Sequence, residues 1–195
     1  MSTLNRAIEI ATNAHEGATD KYGAPYFNHV TRVMHMGHTD NEKIVGVLHD
    51  VIEDTHWTFE DLEKEGFSKE VIDALKCVTK TSEAEDYEEF ITRVKINPLA
   101  VKVKLNDLTD NLDIKRMPVV LESDLKRLNK YLKAYYELKN SQNSNSTPKK
   151  RMMYSDALAI VNKAFKSKNL ISTDNPKPRP DIDNTISISF FKRKK

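Results

Sequence analysis

His49-Asp50-Val51-Ile52-Glu53-Asp54-Thr55 (HDVIEDT) places four ionisable side chains in an otherwise apolar run. The run favours a mostly buried helix, and burying that much charge is costly unless something compensates it. Because residues three or four apart share one face of a helix, Glu53 is expected above His49 and Asp54 above Asp50. A divalent cation held by His49 and Asp50 would neutralise the cluster, and the two later carboxylates would act on a water molecule near it. The pattern is typical of a metallohydrolase.

The length and composition favour one globular domain with an extension. A chain of 195 residues is long enough to bury a core. No run approaches the roughly 20 apolar residues that a membrane-spanning helix needs. Residues 1–17 lack the basic start and apolar stretch of a signal peptide, so the cytoplasm is the expected location. The single cysteine, Cys77, lies in an apolar helical pattern and is expected to be a buried structural thiol.

The net charge of +2 hides two different halves. Residues 1–146 hold 19 basic against 25 acidic side chains, whereas residues 147–195 hold 12 against 4. We therefore predict a metallohydrolase domain over 1–140, a polar linker and one more helix over 141–170, and an irregular tail over 171–195. The basic end of that tail indicates weak attraction to anions rather than a nucleic-acid-binding domain, since no folded basic surface accompanies it.

The fold class is predicted to be all-α, because apolar residues recur at helical spacing along residues 1–140. Thr39 or Asp40, Thr58 and Ser68 are expected N-caps. The predicted helices cover 3–16, a segment opening at Tyr26, about 39–54, a short segment from 58, another from 68, a segment opened by Pro98 within 98–117, and 119–139.

Two further polar side chains lie on predicted apolar helix faces. His29 alone would be interpreted as a packed histidine, and Asp107 alone as a boundary carboxylate, but HDVIEDT favours metal binding for both. With His49 and Asp50 they give two imidazoles and two carboxylates, a set that fits Mn²⁺, Fe²⁺ or Zn²⁺, with open positions favouring Mn²⁺. Such an ion polarises a phosphoryl oxygen and acidifies a bound water. Glu53 and Asp54 would orient and deprotonate that water, which predicts phosphoryl or pyrophosphoryl hydrolysis.

Other polar residues leave alternatives open. His15 either caps or packs the end of the first helix, or it lines the site. Lys102 and Lys104 are either contacts for an anionic ligand or ordinary solvated lysines, and we take Lys102 as a candidate substrate contact.

The motifs A-H-E-G…G-A-P-Y-F-N-H, V-L-H-D-V-I-E-D-T, V-T-K and V-K-L-N-D-L…N-L span about residues 4–135. This set is similar to the hydrolase domain of the RelA/SpoT family, and most of all to its short, single-domain alarmone hydrolases. The resemblance implies an all-helical HD-domain bundle. It also implies Mn²⁺-dependent removal of the 3′-pyrophosphate from (p)ppGpp, with one ion per chain, giving GDP or GTP and pyrophosphate.

Residue by residue, the resemblance implies that the metal is held by His29, His49, Asp50 and Asp107, and that the water is handled by Glu53 and Asp54. It also implies that the loop containing Lys21 and Tyr22 lies against the nucleotide, with Asn111 bordering the same pocket. No synthetase domain is recognisable.

The chain departs from the family pattern at four positions, none of them a predicted ligand. Asp20 stands where many members have an arginine that packs on the base, and stacking by Tyr22 would compensate. The other departures are Val30, Asn106 and Leu108.

Two alternatives remain beside the guanine alarmone. One is an adenine alarmone, another 3′-phosphorylated nucleotide, or NADPH. The other is a binding module that captures a nucleotide or a toxin partner without turnover. The expected partner is a small nucleotide, with no nucleic acid and no membrane, and a homo-oligomer is left open.

Overall fold

The computed structural model describes residues 2–82 and 84–143. Within these ranges the chain is helical, which confirms the predicted fold class. The α-helices are α1 (Leu4–Ala14), α2 (Phe27–His35), α3 (Asp40–Leu48), α4 (Val51–Asp54), α5 (Phe59–Lys64), α6 (Lys69–Val78), α7 (Tyr87–Val94), α8 (Pro98–Asn111) and α9 (Glu122–Asn143), and a 3-10 turn covers Ile114–Arg116. The predicted tail over 171–195 and the predicted helix within 141–170 lie outside the described residues. The first three residues of the predicted linker still belong to α9.

The helix starts follow the capping chemistry expected from the sequence. Thr39 accepts a hydrogen bond from the backbone N–H of Glu42, and Ser68 accepts one from Val71. Thr58 and Asp61 form a reciprocal capping box. These polar caps fix where each helix begins, and hence which of its faces meets the core.

The core brings α2 and α3 unusually close together at Gly46. A Cβ atom on Gly46 would lie 3.1 Å from the Cα of Met34 in α2. Only glycine allows so close an approach without displacing backbone. As a result the end of α3 reaches α2, and the rings of His29 and His49 meet with their centroids 5.2 Å apart.

The structure corrects the prediction of one continuous helix over 39–54. Helix α3 ends at Leu48, and α4 begins at Val51 after a turn at His49 and Asp50. The His49 side chain accounts for the break: its Nδ1 lies 2.8 Å from the carbonyl oxygen of Gly46. A continuous helix would use that carbonyl for the N–H of Asp50. The backbone stays near helical angles, and the N–H of Asp54 still bonds the carbonyl of Asp50 at 3.0 Å, so Asp54 remains one turn beyond Asp50.

The start of α9 is also corrected, from residue 119 to Glu122. The backbone N–H of Leu121 donates to the carboxylate of Asp124 at 3.0 Å, and the N–H of Asp124 bonds the carbonyl of Leu121 at 2.9 Å. This reciprocal cap sets the helix start. Leu125 and Leu132 of this helix are 51% and 43% exposed.

Cys77 is buried in α6, as expected, and burial raises the pKa of its thiol to about 12. The reactive thiolate is therefore scarce at pH 8. We expect a disulfide reagent such as DTNB to label the native protein at least about a hundredfold more slowly than the protein in guanidinium chloride. One equivalent should appear after denaturation, because the chain has a single cysteine. Rapid stoichiometric labelling of the native protein would contradict this burial.

None of the helices in residues 2–82 and 84–143 combines the length and apolar character needed to cross a membrane.

Candidate active site

The four predicted metal ligands converge from three parts of the fold. His29 comes from α2, His49 and Asp50 from the turn between α3 and α4, and Asp107 from α8. The donor atoms of the first three all lie within 4.8 Å of one another. Asp107 Oδ1 lies 3.2 Å from His29 Nε2 and 3.6 Å from His49 Nε2. The structure therefore brings the predicted set together, and its role as a ligand set stays a prediction.

A hydrogen bond at Nδ1 orients each of the two imidazole rings and leaves Nε2 directed toward the cluster. His49 Nδ1 lies 2.8 Å from a carbonyl oxygen, which only accepts, so Nδ1 carries the proton. His29 Nδ1 is held in the same manner by the carboxylate of Asp110 at 2.6 Å. Both Nε2 atoms then face the carboxylates. His49 Nε2 is buried and lies 3.1 Å from Asp50 Oδ2.

The electrostatics of this cluster favour positive charge at its centre. Burial alone would lower the pKa of His29, but its contacts with Asp107 and Asp110 outweigh burial and raise that pKa to about 11. For His49 the negative charge of Asp50 likewise outweighs burial and raises the pKa to about 10. Two nitrogen and two oxygen donors around a point that attracts positive charge fit a divalent ion such as Mn²⁺.

Two residues that the ligand prediction did not include support Asp50. The hydroxyl of Tyr26 donates to Asp50 Oδ2 at 2.6 Å. Burial raises the pKa of the Tyr26 phenol, which keeps it protonated as a donor. The buried His15 ring packs on Tyr26 with centroids 5.1 Å apart. His15 therefore buttresses the site from behind, and it is not among the residues that line the cleft.

A cleft of about 330 Å³ opens above the cluster. Its wall includes these residues of the predicted site: Lys21, Tyr22, His29, Asp50, Glu53, Asp54, Asp107 and Asn111. Asn111 donates from Nδ2 to Asp107 Oδ1 at 2.6 Å, which ties its amide to a predicted ligand. The side chain of Lys21 also reaches Asp124 at 2.6 Å, across the cleft mouth on α9.

Glu53 and Asp54 lie at the cleft surface rather than among the clustered donor atoms. Glu53 Oε1 accepts the backbone N–H of Lys80 at 2.6 Å, and desolvation in the cleft raises its pKa. Desolvation, and then the charges of Asp50 and Glu53, raise the pKa of Asp54 to about 6. A carboxylate with a pKa near neutrality is suited to take up a proton at physiological pH.

The structure does not bring Lys102 to the cleft, and its role as a substrate contact stays a prediction. Its Nζ lies 2.6 Å from Glu42, outside the cleft. Lys104 lines the cleft instead, with Nζ 2.7 Å from Asp107 Oδ2. Residues two apart on a helix point to nearly opposite sides, so only one of these lysines can face the site. The sequence left the two open, and the structure selects Lys104.

Three cationic side chains in the cleft wall were not predicted: Lys80, Arg116 and Arg127. They lie after α6, on the 3-10 turn and on α9, far apart along the chain. The pKa of Lys130 is lowered by burial and then by the positive charges of Lys80, Lys104 and Arg127. These cationic side chains therefore lie near one another. The only sequence signal was the V-T-K motif, which ends at Lys80.

The departure at Asp20 has a structural role. Its carboxylate accepts the backbone N–H groups of Tyr22 and Ala24 at 2.9 and 3.0 Å, which closes the loop that carries Lys21. Arg116 reaches the same carboxylate at 3.2 Å. The loop therefore has an acidic anchor, and a guanidinium from another segment stands beside it.

Comparison with known proteins agrees with this geometry, although no protein-family model matches the chain. Over 138 residues the chain is 30% identical to a guanosine-3′,5′-bis(diphosphate) 3′-pyrophosphohydrolase of Aquifex aeolicus (strain VF5), covering 65% of this chain and 19% of that protein. Over 124 residues it is 34% identical to the bifunctional (p)ppGpp synthase/hydrolase SpoT of Escherichia coli (strain K12), covering 56% and 17%. The chain thus spans less than a fifth of the length of these relatives.

A solved structure described as a metazoan ortholog of SpoT that hydrolyzes ppGpp has the same fold. It superposes with a TM-score of 0.56 at 22% identity, over 88% of this chain and 98% of that one. This similarity confirms the predicted HD-type helical bundle. The curated relatives agree with the resemblance found in the sequence: over the matched residues the chain is similar to proteins named for (p)ppGpp hydrolysis.

Proposed function

We propose that the chain is a metal-dependent hydrolase that removes the 3′-pyrophosphate of (p)ppGpp, releasing GDP or GTP and pyrophosphate. The observation that carries the proposal is that the donor atoms of His29, His49, Asp50 and Asp107 meet beside one cleft, which the first, third and fourth of them line together with Glu53 and Asp54. The hydrolysis for which the Aquifex and Escherichia relatives are named supports it.

When bound, a divalent ion would polarise a phosphoryl oxygen and lower the pKa of a coordinated water. Mn²⁺, one ion per chain, is the ion we propose. Asp107 is restrained for this task, since Asn111 and Lys104 hold its two carboxylate oxygens at 2.6 and 2.7 Å. Its charge is preserved as well: burial raises the pKa of Asp107, but Lys104 and the histidines hold that pKa well below its usual range.

The attacking water would be prepared by the carboxylates at the cleft surface. Asp54, with its pKa of about 6, is placed to accept the proton. Glu53 is restrained by the backbone N–H of Lys80, so its free oxygen can orient the same water. Reach and direction matter more than basicity here, and both side chains line the cleft wall.

The cationic side chains of the cleft wall suit the pyrophosphoryl group that the water attacks, while the 3′-oxygen of the nucleoside leaves and takes up a proton. Lys80, Lys104 and Arg127 stand close enough together to influence Lys130, and a pyrophosphate carries several negative charges. Preorganised cations at the position where charge develops are an effective form of transition-state stabilisation. The loop that carries Lys21 and Tyr22 would contact the nucleoside and its 5′-phosphates.

Arg127→Ala should reduce kcat/KM for the nucleotide by about 10- to 100-fold, the value expected for one or two charge-assisted hydrogen bonds. Steady-state kinetics with Mn²⁺ would measure it. Lys126→Ala is the matched control, since Lys126 is an exposed neighbour outside the cleft, and it should stay within about twofold of the parent chain. Equal losses in both variants would show a general effect of surface charge instead.

The direct test of the function is to incubate the purified chain with ppGpp and Mn²⁺ and to identify the products by ion-exchange chromatography. GDP and pyrophosphate are expected in equal amounts. A folded protein that binds Mn²⁺ and releases no pyrophosphate would refute the assignment. The Asp54→Asn protein, purified in parallel, controls for a contaminating phosphatase.

A second substrate class keeps the same chemistry. Asp20 replaces the arginine that many family members pack on the base, and this favours testing adenine alarmones and NADPH beside ppGpp. Because specificity is a ratio of kcat/KM values, the comparison requires both guanine and adenine forms under one condition. The binding-module alternative is disfavoured by the Glu53–Asp54 pair in the cleft. The cytoplasmic location and the absence of a nucleic-acid partner stay predictions.

A further inference from the structure

Asp110 is a buried carboxylate that neither the motif nor the resemblance assigns. It lies on α8 and is 5% exposed. Its Oδ2 accepts from His29 Nδ1 at 2.6 Å, and its Oδ1 accepts from Arg32 Nε at 2.5 Å. Arg116 makes a further, very short contact with Oδ2. A carboxylate that only stabilised the fold would be satisfied by the two arginines, yet one of its hydrogen bonds goes to a predicted metal ligand.

We propose that Asp110 is a positioning residue that fixes the His29 ring with Nε2 directed at the metal. The proposal rests on the proposed function only in taking His29 as a ligand. An imidazole whose Nδ1 donates to a carboxylate has one tautomer and one ring orientation, and its basicity at Nε2 is increased. In this structure Nε2 is the atom that lies 3.2 Å from Asp107 Oδ1 and 3.6 Å from Asp50 Oδ2.

The two predicted imidazole ligands are held by different means. His49 donates to a neutral backbone carbonyl within its own turn of chain. His29 instead depends on a side chain of another helix, 81 residues away in sequence. Asp110 and Asp107 are three residues apart on α8 and therefore share a face. One turn of α8 thus supplies both the predicted ligand Asp107 and the carboxylate of Asp110, which orients the predicted ligand His29 on α2.

Arg116 extends this arrangement to the cleft loop. Its guanidinium contacts Asp110 and, at 3.2 Å, the Asp20 carboxylate that closes the loop carrying Lys21 and Tyr22. His29, Asp110, Arg116 and Asp20 therefore form a continuous hydrogen-bonded chain from the metal site to the loop. Metal binding without nucleotide tests only the contact between His29 and Asp110.

The test is calorimetric titration of Asp110 variants with Mn²⁺ alone, at a temperature where circular dichroism shows each to be folded. Asp110→Ala should raise the Kd for Mn²⁺ by about 10- to 100-fold, as removal of a ligand's hydrogen-bond partner does elsewhere. Asp110→Asn should lie between, because its amide oxygen still accepts from His29. Asp73→Asn is the control: Asp73 is equally buried and pairs with Lys69 on α6, outside the cleft. It should leave the Kd unchanged.

A folded Asp110→Ala protein with a Kd within twofold of the parent chain would overturn the proposal, and so would an equal loss in Asp73→Asn. If neither Asp110 variant folds, the parent chain decides: ring ¹⁵N–¹H spectra of its Zn²⁺ complex should show His29 protonated on Nδ1. Protonation on Nε2 would overturn the proposal. Neither readout requires turnover, so a failure to hydrolyse ppGpp leaves this test intact, and a negative result here leaves the hydrolase assignment standing.

Discussion

Asp54→Asn is expected to lower kcat for pyrophosphate release by about 10²- to 10⁴-fold, the usual contribution of a general base, while Mn²⁺ binding is retained. Asp54 lies one helical turn beyond the predicted ligand Asp50 and lines the cleft. Its pKa of about 6 leaves it mostly ionised at pH 7 but still basic enough to take a proton from a water. An amide of the same shape cannot accept that proton. Steady-state kinetics and metal stoichiometry on one preparation would measure both effects.

Asp40→Asn provides the control for this experiment. Asp40 is exposed at the first turn of α3, away from the cleft, and the same charge is removed. Its kcat should stay within about twofold of the parent value. Near-normal kcat in Asp54→Asn would exclude the proton-accepting role. Loss of bound Mn²⁺ in that variant would instead place Asp54 in the ligand set.

That His29, His49, Asp50 and Asp107 meet could be predicted because each combines a local pattern with a free-energy cost that only a partner removes; that they bind a metal stays a prediction. HDVIEDT places its charges in an apolar run, and His29 and Asp107 lie on apolar helix faces. Burying each of these polar groups costs free energy unless a partner offsets it. The caps at Thr39, Thr58 and Ser68 were equally local and were confirmed. What the pattern missed at this site was the helix break, because the competition of the His49 ring for the Gly46 carbonyl depends on the rotamer of one side chain.

Arg116, Arg127 and Asp110 could not be predicted, because their roles depend on tertiary packing. In the sequence Arg127 looks like an ordinary surface arginine, and only the packing of α9 on α7 and α8 brings it to the cleft wall. Lys102 and Lys104 are both lysines between apolar residues, so the sequence does not distinguish them. Only the packing of α8 directs Lys102 to Glu42 and Lys104 to the cleft. Asp110 differs from any helical aspartate only through its contact with His29 on another helix.

His49→Ala is expected to abolish tight Mn²⁺ binding, with a loss of affinity above about a hundredfold. Removal of a ligand's hydrogen-bond partner alone typically costs about 10- to 100-fold, and this change removes a donor atom. No other imidazole can replace it, since His15 is held behind Tyr26 and lies outside the cleft wall. Calorimetric titration would give the affinity. The melting temperature gives a second measure, because a ligand that binds only the folded state raises it: Mn²⁺ should stabilise the parent chain and leave His49→Ala unchanged.

His56→Ala is the matched control for that change, because His56 is exposed and outside the cleft, and its Mn²⁺ affinity and stabilisation should equal those of the parent chain. Metal binding and turnover in His49→Ala can be compared with the same two measurements in Asp54→Asn. Without His49, the site loses the ring nitrogen that lies 3.1 Å from Asp50 Oδ2 and 3.6 Å from Asp107 Oδ1, so metal binding and turnover should fall together. In Asp54→Asn turnover should fall alone. If His49→Ala kept its Mn²⁺ stoichiometry, the ion would have to be held elsewhere, and the position assigned to the attacking water would move with it.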